Sequence, residues 1–141
     1  MIGEIKGTRI IVCGTRSFDD YELLEETLDK ALARINNPII VQGGAKGADQ
    51  LADQYAFKKR VPMQVFHADW KKHGKVAGPI RNGEMVRRAS RCVAFWDGTS
   101  PGTKNMIAKA RKRGLKIKVI RYDLIPKKPK GRKLQRYRKN K

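Results

Sequence analysis

The stretch Pro38-Ile39-Ile40-Val41-Gln42-Gly43-Gly44-Ala45-Lys46-Gly47-Ala48-Asp49 decides the fold. A short β-branched run stops at paired glycines, and helical spacing then resumes through Leu51, Ala52, Tyr55 and Ala56, to about Lys59. A buried parallel strand has this continuous apolar character, and a glycine turn leading into a helix is the second step of a βα unit. The same grammar recurs on both sides. Residues 9–13 (Arg-Ile-Ile-Val-Cys) form a strand ending at Gly14-Thr15-Arg16. A helix follows, carried by Leu23, Leu24, Leu28, Ala31, Leu32 and Ile35, with Asp19 or Asp20 as its cap.

Downstream, Val61 to Phe66 reads as a third strand, and the pattern lapses into a loop from His67 to Pro79. A helix from about Ile80 to Ala89 leads to a strand from Cys92 to Trp96. The turn Asp97-Gly98-Thr99-Ser100-Pro101-Gly102-Thr103 opens a helix from about Thr103 to Arg113, stopped by Gly114. Ile117 to Ile120 is the fifth strand. The alternation predicts an α/β protein, a Rossmann-like three-layer αβα sandwich around a five-stranded, mainly parallel sheet. Residues 1–125 form that domain, and 126–141 a basic tail in which Pro126, Pro129 and Gly131 break any helix.

The chain of 141 residues carries a net charge of +20, from 33 Lys and Arg against 13 Asp and Glu. Nine of those cations lie in the tail: Lys127, Lys128, Lys130, Arg132, Lys133, Arg136, Arg138, Lys139 and Lys141. Such a surplus attracts DNA or RNA without sequence preference. Lys58, Lys59, Arg60, Lys71, Lys72, Arg87, Arg88 and Arg91 add to it. No apolar run is long enough for a bilayer span and the N-terminus has no signal-peptide pattern, so a cytoplasmic location without membrane contact is expected. Cys13 falls near the end of one strand and Cys92 near the start of another. Those ends are expected to point apart, leaving both thiols free, with Cys13 a core residue rather than a nucleophile.

Ligands of open α/β sheets collect beyond the carboxyl ends of the strands. Here three glycine-bearing turns are expected on one rim: Gly14-Thr15-Arg16, Gly43-Gly44-Ala45 with Asp49, and Asp97 to Thr103. Each taken singly is an ordinary turn. Together they suit phosphate, because glycines let a ligand approach the main chain and helix starts aim N–H groups at anions. Thr15, Thr99, Ser100 and Thr103 add hydroxyls, and Arg16 a charged fork. Asp49 would repel phosphate, so it belongs either on ribose hydroxyls or on the amides of the Gly43-Gly44 turn. Arg81 and Asn82, at a helix start, are ligand contacts if that start faces the rim. The carboxylates available to an acid–base reaction are Asp97, Asp49 and Glu84. His67, Asp69 and His73 lack a third matching ligand, so neither metal nor cofactor is expected. Trp70 either covers the pocket or anchors its own loop. The dinucleotide fingerprint and the P-loop are both missing, which weakens nicotinamide redox chemistry and nucleotide triphosphate hydrolysis.

These four motifs, Gly14-Thr15-Arg16, Gly43-Gly44-Ala45-x-Gly47-Ala48-Asp49, Arg81-Asn82 and Asp97-Gly98-x-Ser100-x-Gly102-Thr103, resemble the YspA/YpsA-related branch of the SLOG superfamily. The likeness runs from about Arg9 to Ile120. That superfamily also holds the DNA-processing protein DprA and the lysine-decarboxylase-like LOG phosphoribohydrolases, and its members are common in bacteria and their phages. The resemblance implies a Rossmann-like fold with a pocket for nucleotides or nucleotide-derived ligands, built from the matched positions, with Gly98 and Thr99 inside the last motif. The LOG enzymes place a catalytic Glu after their Pro-Gly-Gly-x-Gly-Thr loop, whereas Lys104, Asn105 and Met106 follow Thr103 here. The leading expectation is a sensor or sequestering module for an ADP-ribose-like nucleotide. A hydrolase of N-glycosidic or phosphoester bonds is the first alternative, and a DprA-like nucleic-acid protein the second. Rossmann-like domains often pair through an outer helix, so a homodimer is the assembly to test.

Overall fold

The computed structural model describes residues 6–126. The tail cations from Lys127 to Lys141 therefore lie outside the described residues. In chain order the elements are β1 (Thr8–Gly14), α1 (Tyr21–Leu32), β2 (Pro38–Gln42), α2 (Ala48–Lys59), β3 (Met63–Val65), α3 (Trp70–His73), α4 (Ala77–Arg88), β4 (Arg91–Trp96), α5 (Pro101–Arg113) and β5 (Lys116–Arg121). The five strands form one sheet in the order β3-β2-β1-β4-β5, and every pairing is parallel.

Alternation of the side chains along β1 sorts the core into two halves. Ile10 and Val12 pack with Leu24, Leu28, Ala52 and Tyr55 from α1 and α2. Ile11 and Cys13 face the other way, onto Met85 and Val86 of α4 and Met106 and Ile107 of α5. Both faces of β1 are thus dry, which is why its sequence is continuously apolar. Asp20 caps α1 by accepting the Leu23 amide at 3.0 Å, and Gly114, with φ of 84°, ends α5 in the left-handed conformation.

Two expectations need correction. The segment from His67 to Pro79 is not all loop: α3 and a short 3-10 turn over Gly74–Val76 lead directly into α4, which starts at Ala77 rather than Ile80. Pro79 is the third helical residue, where a missing N–H removes no intrahelical bond. Arg81 and Asn82 accordingly sit in the second turn of α4.

The cysteines do not point apart. Register pairs Ile11 with Cys92, which places Cys13 one same-face step along from Cys92, and their sulfurs approach to 4.0 Å. Register, not the position of a residue near a strand end, decides this distance. Both thiols are free and buried. The contact with Cys92, followed by burial, raises the Cys13 thiol well above its usual range, so it is an uncharged core group.

Candidate functional site

β1 and β4 are adjacent, and the chain winds outward from them in opposite directions. The crevice at their carboxyl ends is the topological switch point. A cavity of about 580 Å³ opens there. Gly14 makes its floor possible: a Cβ at this position would meet Phe95 O at 2.5 Å and the Ala48 Cβ at 2.7 Å. Only glycine lets the start of α2 close against the end of β1.

The first two turns interlock through backbone. Gly47 has φ of 78°, and a Cβ there would run into the carbonyl oxygens of Thr15 and Arg16. The third turn is tied on by Thr15, which is buried, its hydroxyl accepting the Asp97 amide at 3.2 Å. Thr15 therefore braces the rim from beneath and does not line the cavity. Asp97 accepts the amides of Thr99 at 2.9 Å and Ser100 at 2.8 Å, and these bonds hold its carboxyl below the usual carboxylate range. Asp97, Gly98 and Thr99 form the turn but stand off the cavity wall, whereas Ser100, Gly102 and Thr103 line it.

Asp49 resolves the choice left open by the sequence in favour of the turn amides. Its Oδ2 accepts Gly43 N at 3.1 Å and Ala45 N at 3.0 Å, while Gln42 Oε1 accepts the intervening Gly44 N at 2.5 Å. The donors of this turn are engaged by the chain's own side chains. Asp49 is only 6% exposed. Burial pushes its carboxyl up to about 6, partly opposed by the two amides and by nearby Arg81. Among the described residues it is the carboxylate that lines the cavity.

Arg81 reaches the rim from α4. Its Nη1 donates to Gly43 O at 2.6 Å and its Nε to Asn82 Oδ1 at 3.1 Å. A Cβ on Gly43 would strike this guanidinium, with Cζ at 2.7 Å, so the glycine is what admits the arginine. Asn82 is buried and donates to Asn105 Oδ1 at 3.0 Å and to Gly102 O at 3.4 Å. One side chain thus aims Arg81 and fastens α4 to the start of α5. Gly14, Arg16, Gly43, Ala45, Asp49, Arg81 and Asn82 all line the cavity, whereas Gly44 and Glu84 do not. Glu84 is exposed on α4, away from the other two candidate acids.

One contributor escaped the sequence reading, and one open choice is decided by position. Asn105 is a cavity residue whose part depends on Asn82 across the helix pair. Trp70 is 52% exposed yet on the cavity wall, its Cη2 lying 3.4 Å from where a Gly78 Cβ would stand. Asp69 fixes it there by capping α3 through the Lys72 amide at 3.1 Å. Of the two roles open to Trp70 in the sequence, its position on the wall favours the one over the pocket. Among the described residues no group of three His, Cys, Asp or Glu side chains could hold a metal ion.

The start of α5 completes the wall. Ser100 makes no side-chain capping bond, the first turn has no acid, and Gly102 has open space where a side chain would be. The amides of Gly102 and Thr103 belong to the first turn of a helix, where no intrahelical acceptor exists. Arg16, exposed at the same cavity, supplies positive charge. The arrangement attracts an anion at one wall and offers an aromatic ring at another.

Residues 8–73 match the model of the YspA, cpYpsA-related SLOG family. Over 118 residues the chain is 38% identical to the Gene 61 protein of Mycobacterium phage D29, an alignment covering 77% of this chain and 93% of the phage protein. No solved structure matches. No helix among the described residues is long and apolar enough to cross a membrane. With the switch-point cavity, the interlocked glycine turns and these two likenesses together, the chain belongs to the YspA, cpYpsA-related SLOG family.

Proposed function

We propose that the rim cavity binds a nucleotide or a nucleotide-derived, ADP-ribose-like ligand, and that the protein serves as a sensing or sequestering module. The observation that carries this reading is the uncapped start of α5 opening into the cavity beside Arg16 and Arg81. A phosphate fits against the Gly102 and Thr103 amides, where the absent side chain lets it approach the backbone. Arg81 already spends two of its donors on Gly43 and Asn82, which fixes the rest of the fork toward the ligand. Trp70, on the wall with Gly78 and Pro79, offers a face for the base. Family membership supports a nucleotide-related ligand in general terms.

Thermal unfolding of the full chain against nucleotides, ADP-ribose and ribose 5-phosphate tests the proposal. A ligand at a hundredfold its dissociation constant stabilises by about 2.7 kcal/mol, a shift of several degrees. Arg16→Ala is expected to weaken binding about tenfold or more while leaving the unliganded midpoint in place, because Arg16 is exposed. Trp70→Ala should weaken base-bearing ligands by about fivefold or more and leave ribose 5-phosphate unchanged, since stacking on a base is worth ~1–3 kcal/mol. Unchanged affinities in both variants would move the ligand out of this cavity.

Asp49 favours a second reading, hydrolysis of an N-glycosidic or phosphoester bond. A cavity carboxyl with its pKa near 6 exchanges protons close to neutrality, as a general acid or base must. Asp97 and Glu84 both stand off the cavity wall, which leaves Asp49 as the catalytic candidate. Under this reading Asp49→Asn abolishes turnover and keeps the ligand-induced thermal shift. Absence of turnover by the native protein across the same panel removes the hydrolase.

A further inference from the structure

A second groove, of about 510 Å³, runs between α4 and α5 and is lined by Gly83, Val86, Arg87, Lys109, Lys112 and Arg113. It shares no lining residue with the rim cavity, which takes the amino-terminal ends of the same helices. We propose that this groove seats the sugar–phosphate backbone of a nucleic acid.

Sequence spacing builds it. Gly83, Val86 and Arg87 stand at i, i+3 and i+4 of α4, and Lys109, Lys112 and Arg113 stand at i, i+3 and i+4 of α5. Each triplet shares one helix face, and packing of the two helices turns the faces toward one gap. Basic residues in a last turn also complement the helix dipole, which explains Lys112 and Arg113 one helix at a time. The dipole does not explain why Arg87 comes to the same groove from the neighbouring helix. Nor does it explain why α5 contains no acid at all. Among the described residues no carboxylate lies at ion-pair distance from Arg87, Lys109, Lys112 or Arg113. Four unneutralised cations around one gap repel one another, and a row of phosphates relieves that repulsion.

The floor supports the same conclusion. Gly83 lies inside α4, where glycine costs about 0.5–1 kcal/mol relative to alanine. A Cβ there would meet only Arg87 Nη1, at 3.6 Å, so packing does not demand the glycine. What its missing side chain provides is depth between the cations. A bilayer surface fits less well, because among the described residues none of the exposed large apolar side chains lines the groove, and membrane-surface sites need such groups to insert.

Fluorescence anisotropy of labelled single-stranded and duplex oligonucleotides, titrated with the full chain over a salt series, tests the groove. Combining Lys109→Gln with Lys112→Gln is expected to reduce affinity about tenfold and to lower the log–log salt slope by about 2 on duplex DNA. The control removes the same charge elsewhere, by Lys116→Gln with Lys118→Gln on β5, and should change affinity less than about twofold. Gly83→Glu, which α4 accommodates sterically, should match the groove pair, and thermal unfolding verifies that each variant is folded. The tail is common to all variants, so its contribution cancels. Equal losses in groove and control variants would assign binding to overall charge, and no loss in either would place it elsewhere on the chain; both would overturn the groove. So would groove variants that lose anionic phosphatidylserine vesicles but keep the oligonucleotides. Neither result touches the rim cavity, whose ligands are scored separately.

Discussion

Replacing Gly47 with alanine is expected to destabilise the protein by about 3 kcal/mol or more and to lower its thermal midpoint by more than about 8 °C. The residue has φ of 78° and ψ of −122°, a region open essentially to glycine alone. The strain of placing alanine there is of order 1–3 kcal/mol. Sterics add to it, because the new Cβ would press on the carbonyl of Thr15 and lie 2.5 Å from Arg16 O. Those atoms are backbone and cannot rotate aside, so relief requires the first two rim turns to separate. Gly102→Ala is the contrasting case: its Cβ enters open space at ordinary φ, so stability should hold or rise slightly, while ligand affinity falls. A loss below about 1 kcal/mol for Gly47→Ala would mean that the turns are not locked together.

The second large effect is a dependence on pH. Asp49 keeps its proton in the folded protein up to about pH 6, whereas the unfolded chain releases it near 3.8. Between those values the folded state binds more protons, so this group makes stability fall as pH rises, and its full penalty stands above about pH 6. A shift of roughly two pKa units corresponds to about 3 kcal/mol. Asp49→Asn retains an oxygen to accept the Gly43 and Ala45 amides but cannot ionise. The stability of the variant relative to the native chain is therefore expected to improve by up to about 3 kcal/mol from pH 4 to pH 7. Urea unfolding of both proteins across that range measures it. A flat difference would show an unperturbed carboxyl and remove the physical basis for Asp49 as an acid–base group.

The β-branched runs ending at Gly14 and Gly43 announced the parallel strands, because a strand buried on both faces has little other way to be written. Parallel strands put three turns on one rim, and so the rough position of the cavity was legible too. What escaped depends on register and on competition for hydrogen bonds. The approach of Cys13 to Cys92 follows from the pairing of Ile11 with Cys92, one number that no local pattern carries. Glycine turns suggested free amides, but Asp49, Gln42 and Asp97 take up those of Gly43, Gly44, Ala45, Thr99 and Ser100. A carboxylate six residues away is as good an acceptor as a phosphate, and it is always present. The start of α4 was misplaced because Pro79 looked like a boundary, although a helix accepts proline anywhere in its first turn. Asn82 acts between helices, and its partner Asn105 lies 23 residues away.

The strand order β3-β2-β1-β4-β5 also bears on how the chain is made. One flank of β1 is satisfied by β2, the next strand to emerge, but its other neighbour, β4, begins at Arg91, 49 residues after β2 ends at Gln42. At ~5–20 residues per second the ribosome leaves that edge unpaired for about 2–10 s. During this interval Ile10, Ile11 and Val12 present an apolar strand edge, the kind that recruits other chains. Arrival of β4 closes the edge, and α5 then adds the last wall of the cavity. Early folding is thus a matter of guarding one seam, and the cavity is complete only after α5 has emerged.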